Sequence, residues 1–163
     1  MVVFMNRQQH VLMKIIEKIQ VFVGLSVQEV QNLLAISALK QFEKGDIVYR
    51  QGEPSNDMIV LIQGHLKVMG KNGQTLVDIP SGTSIGEMGF FTRQPRSATI
   101  VAAEKSVGLL IEHLKLNGLL TTERNMKAVI LQNVVDLLAK RLIETDRKLE
   151  AYMKKESEAG QNS

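Results

Sequence analysis

Cysteine is absent from this sequence of 163 residues, and neither sign of charge dominates it. Without cysteine the chain can form no disulfide bond, perform no thiolate catalysis, and hold no iron–sulfur cluster or cysteine-ligated zinc. The same absence is compatible with the cytoplasm, where we expect the protein to reside. The net charge of +3 is mild and spread along the chain, so it does not by itself indicate nucleic-acid binding.

Long apolar runs are absent as well, since none approaches the ~20 residues that a membrane-spanning helix needs. The first ten residues become polar at Asn6 and lack the apolar segment and cleavage site of a signal peptide. The chain is 44% hydrophobic and 23% charged, a balance typical of soluble globular proteins. We therefore predict a single domain over residues 1–163, long enough to bury a core.

The first part of the chain, about residues 7–38, is predicted to be helical. Apolar residues at helical spacing predict a helix over 11–23, which Gly24 ends. Ser26 is a good N-cap for a second helix, and Glu29 three residues later completes a capping box. The second helix is expected to bury a set of apolar side chains: Val27, Val30, Leu33, Leu34 and Ile36.

From about residue 39 to residue 112 the pattern changes to short apolar runs separated by turn residues, which predicts an antiparallel β unit. The Asn72-Gly73 pair predicts a type I′ hairpin turn. The predicted strands cover residues 39–42, 47–50, 58–62, 66–69, 75–79, 97–102 and 107–112. This spacing indicates a mainly β fold, a double-stranded β-helix (jelly roll) barrel with flanking helices.

Helices return over about residues 114–155, before a polar tail at 156–163 that is expected to fray. A short helix is predicted over 114–120 and a long one over 123–155. The long helix carries one apolar stripe whose steps alternate between three and four, the spacing of a coiled-coil seam: Ala128, Leu131, Val135, Leu138, Leu142, Thr145, Leu149 and Tyr152. A second stripe covers only its first half and should pack on the barrel: Val129, Ile130, Val134 and Leu137. This pattern predicts a parallel homodimer; the alternative is a monomer whose helix lies on its own barrel.

The stretch from residue 85 to residue 100 is the candidate binding site. Gly86 and Gly89 lack a Cβ, so backbone N–H groups can approach a ligand closely. The planar fork of Arg96 fits two oxygens of one phosphate, and Ser97 adds a hydroxyl. The carboxylate of Glu87 would repel a phosphate unless it accepts from a hydrogen-bond donor, such as a sugar hydroxyl. Together these side chains predict a nucleotide; the alternative is a plain hairpin with an exposed arginine.

This stretch, together with the runs at residues 47–53 and 58–64, resembles the phosphate-binding cassette and upstream signature of cyclic-nucleotide-binding domains. Such domains occur in catabolite activators, in the regulatory subunit of cAMP-dependent protein kinase, and in cyclic-nucleotide-gated channels. The resemblance covers about residues 20 to 155. It implies a receptor for cAMP or cGMP.

The resemblance also implies roles for individual residues of the cassette. Glu87 would accept a hydrogen bond from the ribose 2′-hydroxyl, and the backbone N–H of Gly86 or Met88 would add to the ribose and phosphate contacts. Arg96 would pair with the cyclic phosphate and would face the ligand rather than the core. The remaining phosphate contacts would come from the hydroxyl and N–H of Ser97 and from the N–H of Ala98.

Contacts to the base would come from the long helix, whose residues 139–146 resemble the dimer helix of catabolite activators. There a threonine matching Thr145 binds the adenine amino group, and an arginine matching Arg141 lies nearby. The sequence departs from that pattern at Asp146, where the activators carry serine. A carboxylate can accept from adenine N6 or from guanine N1 and N2, so cAMP is favoured while cGMP stays open. Alternatively, Thr145 is only a small residue filling the seam.

Nothing in the sequence indicates an enzyme. There is no P-loop and no nucleophile–base pair, and His10, His65 and His113 lie far apart in no ligand-like spacing, so we expect neither catalysis nor a metal or cofactor. The expected function is a cyclic-nucleotide receptor that signals through its long helix to an unidentified protein partner. The alternative is the sensor part of a catabolite-activator-type transcription regulator. Its helix-turn-helix is missing from this chain, so no direct DNA binding is expected.

Overall fold

The computed structural model describes residues 7–161, and side chains as far as residue 158. The expectations for the first six residues and for the last residues of the polar tail fall outside this range. The helices are α1 (Arg7–Ile16), a 3₁₀ helix (Gln20–Phe22), α2 (Val27–Ala35), α3 (Glu87–Thr92), α4 (His113–Thr122) and α5 (Arg124–Gln161). The strands are β1 (Ser37–Phe42), β2 (Ile47–Tyr49), β3 (Asp57–Gln63), β4 (His65–Met69), β5 (Thr75–Pro80), β6 (Ser84–Ile85), β7 (Thr99–Ala102) and β8 (Ser106–Glu112).

The strands form two four-stranded sheets, with the orders β1-β8-β3-β6 and β2-β7-β4-β5. Every strand pair in them is antiparallel. The predicted fold class, a jelly roll with flanking helices and a long C-terminal helix, is confirmed. Across the described part of the chain the two sheets remain separate, so the barrel is not closed.

Strand β3 separates the two apolar clusters of the core. Successive side chains of a strand point to opposite faces. Met58 and Val60 therefore pack with the helices, while Ile59 and Leu61 pack between the sheets. A strand buried on both faces reads as a continuous apolar run, which is why the sequence from residue 58 to residue 62 lacks polar alternation.

The N-terminal helices differ from the prediction in where they end. Helix α1 stops at Ile16, and a 3₁₀ turn replaces the rest of the expected helix. A continuous α-helix would point Ile19 and Val21 about 160° apart. Both side chains are buried in the same cluster, so the backbone must leave the helix between them.

The capping box of α2 is confirmed. Ser26 Oγ accepts from the Glu29 N–H at 3.3 Å, and Glu29 Oε2 accepts from the Ser26 N–H at 2.7 Å. Of the expected core residues, Val30 and Leu33 are buried, whereas Leu34 and Ile36 are only partly buried. The expectation for Val27 is wrong, because this first residue of α2 is 59% exposed.

Two loops of the β unit also differ from the prediction. Strands β4 and β5 form the expected hairpin, but residues 70–74 connect them and Asn72 lacks the positive φ that a type I′ turn requires. Strand β7 begins at Thr99, so Ser97 and Ala98 precede it instead of lying within it. Strand β6 and helix α3 were not predicted; each is too short to show a hydrophobic period.

Helix α5 runs for 38 residues and continues beyond the predicted end at residue 155. Its core-facing side chains are buried as expected at Ile130, Val134 and Leu137. Those of the predicted seam are mostly exposed, by 40% to 73%: Leu131, Val135, Leu142, Leu149 and Tyr152. No helix within residues 7–161 combines the length and apolarity that crossing a membrane would take.

Candidate functional site

A cavity of about 390 Å³ lies among the sheet β2-β7-β4-β5, helix α3 and helix α5. Its walls combine an apolar surface from the strands with charged side chains from the α3 segment and α5. The apolar lining comes from Val68, Val77, Ile79, Ile85 and Ile100. The charged lining comes from Asp78, Glu87, Arg96, Arg141, Glu144 and Lys148. A concave site with an apolar wall and a few placed polar groups is typical of small-molecule binding.

Arg96 is held rigidly at one wall of this cavity. Its Nη2 donates to both the backbone carbonyl and Oδ1 of Asp57, at 2.8 and 2.9 Å, and its Nη1 donates to the carbonyl of Gly86 at 3.3 Å. The guanidinium also stacks on the ring of Tyr49 at 3.5 Å. Because a guanidinium has five N–H donors, these contacts leave others for a ligand.

The expectation that Arg96 faces a ligand rather than the core needs correction. The side chain lines the cavity, but it is only 7% exposed and forms an ion pair with Asp57. Tyr49 Oη donates to the same carboxylate at 2.7 Å. Burial, and next the Asp57 carboxylate, raise the pKa of Tyr49, so its hydroxyl stays protonated as a donor. Arg96 is thus a structural residue as well as a candidate ligand contact.

Gly86 is required by this arrangement. Its φ of +84° is favourable only for glycine, and it lies directly before helix α3. A Cβ at this position would lie 2.5 Å from Nη1 of Arg96. The absence of a side chain therefore lets the guanidinium approach the backbone of the cassette.

Glu87 connects the cassette to helix α5. The side chain is 1% exposed, and its Oε1 accepts a hydrogen bond from Nη1 of Arg141, 54 positions away. Nη2 of Arg141 also donates to the carbonyl of Ser84 at 3.4 Å. The other oxygen of Glu87, Oε2, is buried without a hydrogen-bond partner among residues 7–161. A buried acceptor left unsatisfied costs about 1–3 kcal/mol, which a donor on a bound ligand would recover.

The structure brings together all the predicted site residues except one. Those that line the cavity are Gly86, Glu87, Met88, Arg96, Ser97, Ala98, Arg141 and Thr145. Thr145 Oγ1 donates to the carbonyl of Arg141 at 2.8 Å, one helical turn before it. Asp146 is absent from the lining, because the next position along a helix points about 100° away.

Sequence reasoning missed several residues of the site. Glu144 and Lys148 line the cavity three and seven positions after Arg141, a helical spacing that could have identified them. Tyr49 and Asp57 had no such signal, because their link to Arg96 spans up to 47 positions (96 − 49) and exists only in the folded chain. Nothing in the described residues gathers three His, Asp or Glu side chains in a metal-binding arrangement.

Known proteins of one family resemble this chain in sequence. The family model of the cyclic nucleotide-binding domain matches residues 39–123, just over half of the chain. The cyclic nucleotide-gated channel beta-3 of Mus musculus is 25% identical over 132 residues, which are 78% of this chain and 19% of the channel. The chain spans only 11% to 29% of the length of the first curated relatives that it matches.

Solved structures agree with this likeness. A cyclic nucleotide-binding domain from Methylobacillus flagellatus superposes with a TM-score of 0.75 at 25% identity, covering 86% of this chain and 82% of that one. The catabolite activator protein of Thermus thermophilus gives a TM-score of 0.68 at 26% identity, covering 80% of this chain and 62% of that one. The likeness therefore extends over most of this chain.

Proposed function

Because the chain belongs to the cyclic nucleotide-binding domain family, we propose that it is a receptor for a 3′,5′-cyclic nucleotide, with cAMP preferred over cGMP. The observation that carries this proposal is a pair of buried opposite charges on one cavity. Arg96 is 7% exposed and Glu87 is 1% exposed, and both line the cavity. A cyclic phosphodiester has one negative charge and two free oxygens, which suits a single guanidinium.

The ribose would supply the hydrogen-bond donor that the Glu87 carboxylate still lacks. Oε2 of Glu87 has no partner in the described residues, and a ribose hydroxyl is a donor of the right kind. The N–H groups of Gly86, Ser97 and Ala98 and the hydroxyl of Ser97 would complete the phosphate contacts. Thr145 supports the preference for cAMP, since its hydroxyl can accept from the adenine amino group.

Helix α5 is the element through which binding would be transmitted. Arg141 on α5 bonds Glu87 in the cassette, so a ligand that contacts Glu87 changes the environment of the helix directly. A ligand shifts a conformational equilibrium only through such differential contacts. We infer a regulatory, non-enzymatic role in the cytoplasm, with the changed helix surface read by a protein partner.

A second copy of the chain is the proposed partner of the exposed seam on α5. Leu131, Val135, Leu142 and Leu149 follow the alternating spacing of a parallel coiled coil and are 40% to 62% exposed. Fully burying one such side chain stabilises by roughly 1.5–3 kcal/mol, so several of them can offset the entropy of association.

Leu142→Glu tests the dimer, because it places two carboxylates in the seam and should give monomers. Ile143→Glu is the matched control, since Ile143 is 52% exposed on α5 but lies outside the seam. Light scattering should give a dimeric mass for the natural sequence and for Ile143→Glu. A monomeric natural sequence at high micromolar concentration, with and without nucleotide, would contradict the dimer.

Thermal melting tests the binding proposal itself. Ligand at ~100 times its dissociation constant should stabilise the fold by about 2.7 kcal/mol, or roughly 5–10 °C in a domain of this size. We expect this shift with cAMP, a smaller one with cGMP at equal concentration, and little with 5′-AMP. The open monophosphate brings a second negative charge toward the buried Glu87. No shift with either cyclic nucleotide at millimolar concentration would refute the proposal.

The second candidate function is the sensor part of a transcription regulator. It is favoured by the fit to the catabolite activator protein of Thermus thermophilus, of which this chain covers 62%. This function requires a DNA-binding region beyond residue 163. The mass of the natural protein in its source cells, measured by immunoblotting or mass spectrometry, distinguishes the two: a mass near 18.2 kDa favours the stand-alone receptor, and a markedly larger one favours the regulator.

A further inference from the structure

One face of helix α5 changes its chemistry where the helix passes the cavity. The first part of this face is apolar and buried in the core: Met126, Ile130, Val134 and Leu137. The same helical spacing continues with Arg141, Glu144 and Lys148, all of which line the cavity. The face that packs on the core thus becomes charged where it meets the cavity.

This change is not a general rise in polarity toward the end of the helix. Over the same stretch the seam face keeps Leu142, Leu149 and Tyr152. Glu144 and Lys148 also have the spacing of a helical ion pair, which contributes little in water. Neither side chain forms an ion pair or hydrogen bond within residues 7–158, whose side chains the structure describes. The carboxylate and the ammonium are therefore available to a ligand.

The positions of the other charged groups determine which part of the ligand these two side chains would meet. In the proposed function Arg96 and Gly86 form the phosphate end of the cavity, and Arg141 is already bonded to Glu87. Glu144 and Lys148 lie one and two helical turns beyond Arg141 along α5. In a nucleotide, the group that extends beyond the sugar from the phosphate is the base.

We propose that Glu144 and Lys148 flank Thr145 as the residues that read the edge of the purine, and that Glu144 accepts a hydrogen bond from the amino group at position 6 of adenine. This inference rests on the proposed function. Adenine presents the N6 donor beside the N7 acceptor, so a carboxylate and an ammonium match that edge. Guanine bound in the same orientation presents the O6 acceptor at this position, where a carboxylate repels it, and its N1 and N2 donors meet a carboxylate only in a different orientation. Glu144 then selects adenine partly by disfavouring guanine.

Asp146, the other carboxylate beside Thr145, does not share this position. It lies on the other side of Thr145 and does not line the cavity of its own chain. The two carboxylates that flank Thr145 therefore make a matched pair for a test, because both are exposed residues of the same helix and only one of them faces the cavity.

The test compares Glu144→Ala with Asp146→Ala by calorimetric titration with three ligands. These are cAMP, cGMP, and the 3′,5′-cyclic monophosphate of purine riboside, which lacks the 6-amino group. Glu144→Ala should weaken cAMP binding about tenfold, as expected for one hydrogen bond to a charged group, and should bring the cAMP and cGMP affinities closer together. Its affinity for the purine riboside ligand should not change. Asp146→Ala should bind all three as the natural sequence does.

Each outcome separates this inference from the proposed function. If Glu144→Ala weakens all three ligands equally, or none of them, the inference fails while the receptor function stands. A change of the cAMP-to-cGMP ratio in Asp146→Ala but not in Glu144→Ala also overturns it. If the natural sequence binds no cyclic nucleotide, the proposed function itself is wrong. Circular dichroism and melting of each variant show that the fold is retained.

Discussion

Replacing Arg96 by lysine should weaken both the fold and the binding of nucleotide. The substitution keeps the positive charge but removes the planar fork and the face that stacks on Tyr49. In the natural sequence, Arg96 ties the segment before β7 to Asp57 at the start of β3 and to Gly86 before α3. Lysine cannot make these contacts together, because its single ammonium cannot reach both sides at once.

The sizes of the losses in stability and in affinity follow from the contacts that Arg96→Lys removes. A hydrogen bond to a charged group contributes about 1.5–3 kcal/mol, and Asp57 is 27% exposed, so water compensates part of the loss. We expect a loss of about 2 kcal/mol in the free energy of unfolding. In a domain of this size that corresponds to a decrease of roughly 4–8 °C in melting temperature. The affinity for cAMP should fall by about tenfold or more, since a bidentate contact becomes a single one.

Urea unfolding and calorimetric titration of the same preparations measure the two effects. Arg50→Lys is the control, because the described contact of the Arg50 side chain is an exposed ion pair with Glu53 at 3.8 Å. It should change the free energy of unfolding by less than about 0.5 kcal/mol and leave binding unchanged. If Arg96→Lys unfolds and binds as the natural sequence does, Arg96 is neither a structural tie nor the phosphate clamp.

Two further substitutions test the surroundings of the site. Gly86→Ala should cost about 1–2 kcal/mol because of its φ of +84°, and should also weaken cAMP binding because the new Cβ would lie 2.5 Å from Arg96 Nη1. Gly82 has a φ of +82° and nothing within 4 Å of an added Cβ, so Gly82→Ala should lower stability without changing cAMP affinity. If both variants lose the same cAMP affinity in calorimetry, this account is contradicted. Asn133→Ala should reduce the free energy of unfolding in urea by about 1–2 kcal/mol. The Asn133 amide donates to the carbonyl of Val21 in the 3₁₀ helix at 3.1 Å and to that of Val23 just after it at 2.7 Å. An unchanged value would mean that this tie between α5 and the N-terminal segment contributes nothing.

Local patterns in the sequence predicted the helices and strands that are long enough to show a periodic spacing of apolar residues. Short apolar runs identified the longer strands, and the Ser26–Glu29 capping box located the start of α2. Strand β6 and helix α3 cover only two and six residues, so no period could reveal them. The break after Ile16 depends on tertiary burial of residues on both sides of the turn, which outweighs the local tendency to continue the helix.

The residues of the candidate site also fall into those that a local pattern predicted and those that depend on tertiary contacts. The cassette residues were found because glycine, a carboxylate and arginine occur together within a few positions, and because that pattern resembles a known family. The links that hold the site together join residues far apart in the chain, such as Arg141 with Glu87 at a separation of 54. No local pattern predicts which distant carboxylate an arginine meets. The helical spacing after Arg141 predicts that Glu144 lines the cavity, whereas the resemblance to catabolite activators indicated Asp146.

Nuclear magnetic resonance of the labelled protein during titration with cAMP tests most directly the claim that a cyclic nucleotide binds in the cavity beside α5. We predict saturable shifts of the amide signals of Gly86, Ser97, Ala98 and Thr145. Signals from a separate cavity, which lies among α1, α2 and β1 and is lined by Asn32, should stay in place. Saturable shifts confined to that separate cavity, or no shifts at millimolar cAMP, would contradict the claim.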